Sequence, residues 1–367
     1  MVRIAVISAV AALSAYAGPL MAQPKPVEIA PDKDWEHTWT PMTFPARLGE
    51  FERSEVFQFQ ERESDISANY LDAAGSVLSL YIYRPGVSDA SIWHDRALVS
   101  LGANDVMFGT EGVQGKRSAS FKPAGHDIES GILTVLTSNG DFRSTGVALY
   151  SHGNWLVKVR LSSRGLDPDG LEALLRELLT QLPDLDNYAA HPAYLIEACL
   201  DPMTYSNADR LRDDRTEAGL DSLMDVMVDL KELREATGLD DAPYAQYCRE
   251  GDGGAEGSIY RPIGMQDRYL IAFGDSGTSA SVNPAKTLEE VLKEEDGVSN
   301  ADKAHFAVSH STGTHIRYFM PFHSLPQPNQ AVQVVFGEQP ILTADRPLGE
   351  EALEVTLIPH EEPTSKE

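Results

Sequence analysis

The stretch WLVKVRLS, Trp155–Ser162, decides how the first half of the chain is read. Trp155, Val157, Val159 and Leu161 fall on one side of an extended backbone and Lys158 and Arg160 on the other, a period of two that marks a half-buried β-strand. Such a strand hides its apolar face only inside a sheet, and the flanking sequence supplies partners. Phe142–Tyr150 precedes it across a His152-Gly153 turn, and Ile128–Thr137 comes before that, across Asn139-Gly140, a two-residue hairpin signal. Arg117–Phe121, Val77–Arg84 (VLSLYIYR), Ile66–Asp72 and Phe51–Gln60 carry the same strand pattern farther upstream. Two helices interrupt the series. Ser88 is read as the cap of one running to about Leu101, with Ile92, Trp93, Ala97 and Leu98 at helical spacing. The other spans Asp167 to Leu182, with Leu171, Leu174, Leu175, Leu178 and Leu179 on one stripe and Pro183 ending it.

Three strands, a helix, four strands and a helix form an α+β arrangement, an antiparallel sheet packed with helices. That order, with the FPARLGEFER lead-in (Phe44–Arg53) and its Pro-x-x-x-Gly spacing into the first strand, resembles the PsbP/Mog1-type α/β/α sandwich. The resemblance covers residues 42–183. It implies a fold used in small secreted and lumenal domains and brings no catalytic motif with it.

The second half is expected to be a separate acidic α+β domain, residues 208–360, after a linker over 185–207. Its pattern predicts a long helix from Ala208 to Ala236, a Gly-rich loop over Gly251–Gly257 and a short helix over Lys286–Glu294. Strands are expected at Tyr269–Phe273, His305–Ser309, His315–Phe319, Ala331–Phe336 and Glu354–Ile358. Residues 361–367 read as a disordered tail. At the other end, Arg3 and the twelve apolar residues Ile4–Ala15 read as a signal peptide of about residues 1–22, cleaved after Ala17 or Ala22. An extended segment, 23–41, follows it. Its Trp35 and Trp39 are expected to fold back onto the sheet, because paired exposed tryptophans are rare on soluble proteins.

The 30 basic and 56 acidic side chains give a net charge of −26, which excludes nucleic acid as a partner, since phosphate binding needs clustered cations. No later window is apolar for long enough to make a transmembrane helix. Cys199 and Cys248 are the only cysteines. In an exported protein they are expected to form a disulfide closing a long loop.

Four constellations are candidates for chemistry. Ser276 lies in Gly274-Asp-Ser-Gly277, the nucleophile loop of chymotrypsin-like proteases, but the other motifs of that family are missing and a tight turn has the same composition. His305, His310, His315 and His323 cluster, and a four-residue loop Ser311–Thr314 would place His310 opposite His315, close enough to share a metal ion. Arg143, Lys158 and Arg160 form a basic patch suited to an anionic ligand or to docking the acidic second half. Asp214, Glu217, Asp221, Asp225 and Asp229 line one face of the long helix, which reads as a solvated acidic surface. The charge is uneven: −7 over residues 1–185 and −19 over 186–367. No cofactor is implied. The expectation is an exported binding or structural module with an unidentified protein or small-molecule partner. The alternatives are an envelope hydrolase using Ser276 with a clustered histidine, and a metal-binding module on His310 and His315.

Overall fold

The computed structural model describes residues 24–102, 113–183, 191–211, 245–252, 257–285, 305–346, 348–349 and 354–358. The signal peptide, the acidic helix face, the 286–294 helix and the tail lie outside the described residues, apart from 208–211, which are not helical.

Two antiparallel sheets dominate. The first is built from β1 (Lys25–Pro26), β4 (Arg47–Leu48), β5 (Phe51–Gln60), β6 (Asp65–Leu71), β7 (Val77–Tyr83), β8 (Val113–Phe121), β9 (Gly131–Ser138), β10 (Ser144–His152) and β11 (Trp155–Ser163). The spatial order is β1-β5-β6-β7-β11-β10-β9-β8, with β4 also on β5, and β2 (Trp35–Glu36) pairs separately with β3 (Thr43–Phe44). The second sheet is a meander in chain order: β12 (Tyr247–Asp252), β13 (Gly257–Pro262), β14 (Tyr269–Phe273), β15 (Thr278–Ala285), β16 (His305–Ser311), β17 (His315–Phe322), β18 (Leu342–Asp345) and β19 (Val355–Leu357). Among the described residues there are three α-helices: α1 (Ala90–Gly102), α2 (Pro168–Leu179) and α3 (Pro328–Gly337).

Alternation in β11 sends Trp155, Val157, Val159 and Leu161 into a core closed by Leu171, Leu175 and Leu178 of α2. Trp35 and Trp39 pack against that core, and Trp39 donates its indole N–H to the Arg62 carbonyl at 2.8 Å. Leu348, from the far end of the chain, is buried in it as well. On the opposite face of the sheet, Leu149 and Leu156 meet Ile92 and Trp93 of α1, and the same cluster continues into Tyr260, Leu270 and Ala272 of the second sheet. Helix α1 is therefore shared between the two sheets. The outer face of the second sheet, with Ile271, Val282 and Val308, is covered by Ala331, Val334 and Val335 of α3.

Several local expectations are corrected. Asp89, not Ser88, caps α1, its carboxylate accepting from the N–H groups of Ser91 and Ile92 at 2.7 and 3.1 Å, where an ionised acceptor holds two donors. The β9–β10 connection takes four residues, 139–142, because Ser138 pairs with Arg143 (N···O 3.0 Å) and Phe142 turns inward to be buried. Residues 331–336, expected as a strand, belong to α3. Pro328 at its start and the capping box between Gln327 and Gln330 outweigh the β-branched residues that follow. The segment expected as a Gly-rich loop is strand at both ends, since Gly251 and Asp252 belong to β12 and Gly257 to β13, and these pair as a hairpin from Tyr247↔Pro262 to Asp252↔Ser258.

Candidate functional site

The polar face of β11 points into the seam between the sheets, and there Lys158 and Arg160 meet the β14–β15 turn. Arg160 Nη2 lies 2.6 Å from Asp275 Oδ2, and Lys158 Nζ lies 3.2 Å from the same oxygen. Lys158 also donates to the Asp275 backbone carbonyl at 2.8 Å. Its ammonium sits 4.4 Å from the ring centroid of Tyr81 and 5.1 Å from that of Tyr83. These contacts compensate a cation whose side chain is only 3% exposed.

The protonation equilibria follow from this packing. Burial alone would raise Asp275, but Lys158 and Arg160 outweigh it and hold the carboxyl at about 2. Burial also lowers Lys158, against the pull of Asp275. Asp65, buried beside them at the start of β6, is pushed up by desolvation, with Lys158 drawing it back and Asp275 adding to the rise. Burial raises the Tyr81 and Tyr83 hydroxyls as well.

Around this acid–base cluster the seam is closed by side-chain and main-chain hydrogen bonds. Arg96 of α1 donates to the Gly274 carbonyl at 2.8 Å and to Ser258 Oγ at 2.7 Å. Tyr260 donates to Asp95 at 2.8 Å. Gly86 N–H reaches the Gly277 carbonyl at 2.7 Å. Gly277 has φ +91°, and a Cβ there would stand 2.7 Å from Pro85 Cα, so the turn needs glycine on two counts. Arg346 donates to the carbonyls of Pro85 and Thr312 at 2.7 and 2.8 Å, tying the last strands to the first sheet.

The sequence candidates are distributed as follows. Lys158 and Arg160 converge on Asp275. Arg143 stays apart, because it lies beyond the start of β10 and donates to the Gly165 carbonyl at 3.1 Å. Ser276 is half-buried in the same turn as Asp275. The histidines of β16 and β17 turn elsewhere. His305 and His323 meet edge to face with ring centroids 5.8 Å apart, and His315 Nδ1 lies 2.8 Å from Asp345 Oδ1.

His310 stands opposite Arg317 rather than His315. The hairpin is tighter than the expected four-residue loop: Ser311 pairs with Ile316, and Thr312 N–H bonds to the His315 carbonyl at 2.9 Å. The shorter turn moves the two histidines two rows out of opposition. His310 packs against Phe273 and Phe336, and neither ring nitrogen has a partner. Burial, with help from Arg317, lowers its pKa to about 4. Among the described residues no group of three or more His, Cys, Asp or Glu side chains converges to hold a metal ion.

Cys199 and Cys248 are bridged, with Cα atoms 5.0 Å apart, as their number and context predict. What the sequence reading missed is Asp275. The Gly-Asp-Ser-Gly motif drew attention to its serine, whereas the aspartate makes the contacts, and only a cationic pair on the facing strand could have signalled that. Compared with protein-family models, curated proteins and solved structures, the chain finds no match in any of the three.

Proposed function

We propose that the protein is an exported, disulfide-stabilised binding module, not an enzyme. The observation that carries the exported, disulfide-stabilised part of this reading is the Cys199–Cys248 bridge, a bond that persists in oxidising compartments and is rare in the cytosol. The apolar segment Ile4–Ala15 supports export through a cleaved signal peptide into a periplasm or the medium. No helix of the described residues is long and apolar enough to cross a membrane. The first sheet, with α2 on one face and α1 on the other, is read as a PsbP/Mog1-type sandwich. The second sheet and α3 are read as its acidic α+β companion.

Charge use at the seam supports a structural role for part of the basic patch. Asp275 engages both Lys158 and Arg160, which supports a role for these two cations in docking the two halves. The hydrolase alternative rests on Ser276. A metal-binding module on His310 and His315 gains support from one observation, the two unpartnered ring nitrogens of His310.

The experiment pairs localisation with labelling. The secreted or periplasmic fraction should contain protein lacking residues 1–17 or 1–22, and a fluorophosphonate probe should leave Ser276 unmodified. Stoichiometric labelling that disappears in Ser276→Ala would establish the hydrolase instead. An intact Met1 in a cytoplasmic pool would remove the export reading.

A further inference from the structure

Asn139 is the only asparagine in the chain followed by glycine. Such a pair commonly folds into a two-residue type I′ turn, which requires positive φ at both positions. Neither Asn139 nor Gly140 has a positive φ. The connection instead runs through residues 139–142, closed by the Ser138 N–H bond to the Arg143 carbonyl at 3.0 Å and anchored by the buried Phe142. Asn139, Gly140 and Asp141 are all exposed. The Gly140 N–H points to Ser138 Oγ at 3.4 Å, beyond the usual range of an N–H···O hydrogen bond.

Asn139 and the main-chain nitrogen that follows it therefore sit in water, outside the paired strands and outside a left-handed turn. With no Cβ on residue 140, little crowds the approach of that nitrogen to the Asn139 side chain. Other asparagines differ in ways that matter for this chemistry. Asn69 Oδ1 accepts from the Ser79 hydroxyl at 2.7 Å inside the first sheet, and Asn154 Oδ1 is buried. Asn283 precedes Pro284, whose nitrogen carries no hydrogen to lose.

We propose that Asn139 is a site of spontaneous deamidation in the folded protein, converting with age to isoaspartate and aspartate. The Gly140 nitrogen gives up its proton and attacks the Asn139 side-chain carbonyl carbon, and ammonia leaves as the succinimide ring closes. Water then opens the ring at either carbonyl, giving aspartate at one and isoaspartate at the other. Water has replaced ammonia, and nothing is oxidised or reduced. The product carries one more negative charge, at the end of the sheet where Arg164 lies over the Phe142 ring, 5.5 Å from its centroid. The reaction is independent of what the protein binds.

The test incubates the mature, disulfide-intact protein at pH 8 and 37 °C beside the same chain held in denaturant. Anion exchange should resolve a species with one added negative charge, and peptide mapping should place isoaspartate at position 139. The folded protein should react within about 10-fold of the denatured rate, because an exposed connection opens at almost no free-energy cost. Gly140→Ala should slow the reaction by about 10-fold in both states, since its Cβ crowds the attacking nitrogen. Residue 140 does not have a positive φ, so this variant should keep the parent melting temperature. Three results overturn the proposal: an unchanged Asn139 in folded protein while the denatured chain reacts, modification confined to other asparagines, or an undiminished rate in Gly140→Ala. Each of these leaves the binding reading standing, which labelling of Ser276 tests separately.

Discussion

Asp275 illustrates how one residue can set the electrostatics of an interface. Its carboxylate is the acceptor for both Lys158 and Arg160, and without it Lys158 would remain buried with a positive charge facing two tyrosine rings. Removing one partner of a buried pair costs more than the pair contributes, since the other charge stays desolvated. Asp275→Asn should therefore lower stability by about 3 kcal/mol at pH 7, read by chemical denaturation. The pH dependence has a definite sign. The folded-state value, about 2, lies below the ordinary 3.8, so the contribution is present in full above about pH 4 and is lost as pH falls toward 2. The gap between parent and variant should close over that window. An unchanged midpoint at pH 7 would mean that the seam does not depend on this carboxylate.

Among the elements, the β16–β17 hairpin shows how register governs chemistry. Two histidines five residues apart face each other only across a four-residue loop, and Thr312 bonding to His315 removes that option. Gly313 lets this turn lie close against the first sheet, since a Cβ there would approach Gln60 Oε1 to 2.6 Å and Ser64 Oγ to 2.9 Å. His310 is then opposite a cation, Arg317, and His315 is engaged by Asp345. Zinc should accordingly bind no tighter than about millimolar at pH 7.5, about 4 kcal/mol at the one-molar standard state, in titration calorimetry. Micromolar binding that vanishes in His310→Ala with His315→Ala would show that the hairpin rearranges around the metal. Residues 331–336 carry the same lesson from the other side: their valines read as a strand, but Pro328 and the Gln327–Gln330 capping box start a helix three residues earlier.

At the scale of the whole molecule, α1 is buried between two sheets, and the loop carrying Arg346 and Leu348 returns to the first sheet from the end of the second. The bridge between Cys199 and Cys248 spans 49 residues and pins the segment before the second sheet to β12. Reduction should lower stability by up to about 4 kcal/mol through the freed loop entropy. The melting temperature should fall with reductant, and non-reducing peptide mapping should return one linked pair. Two alkylatable thiols in native exported protein would contradict the bridge. The sequence by itself determined the seven longer strands of the first sheet, its leucine-striped helix, the tryptophan cover and the cysteine pair. Each of these depends on side-chain periodicity or residue chemistry that operates within a few positions, or on a count. Only the tertiary structure decided that Lys158 and Arg160 find Asp275, that His310 misses His315, and that α1 serves two sheets. Those outcomes turn on the length of a turn and on which face of one sheet meets another, and a linear chain does not encode either within any single local window.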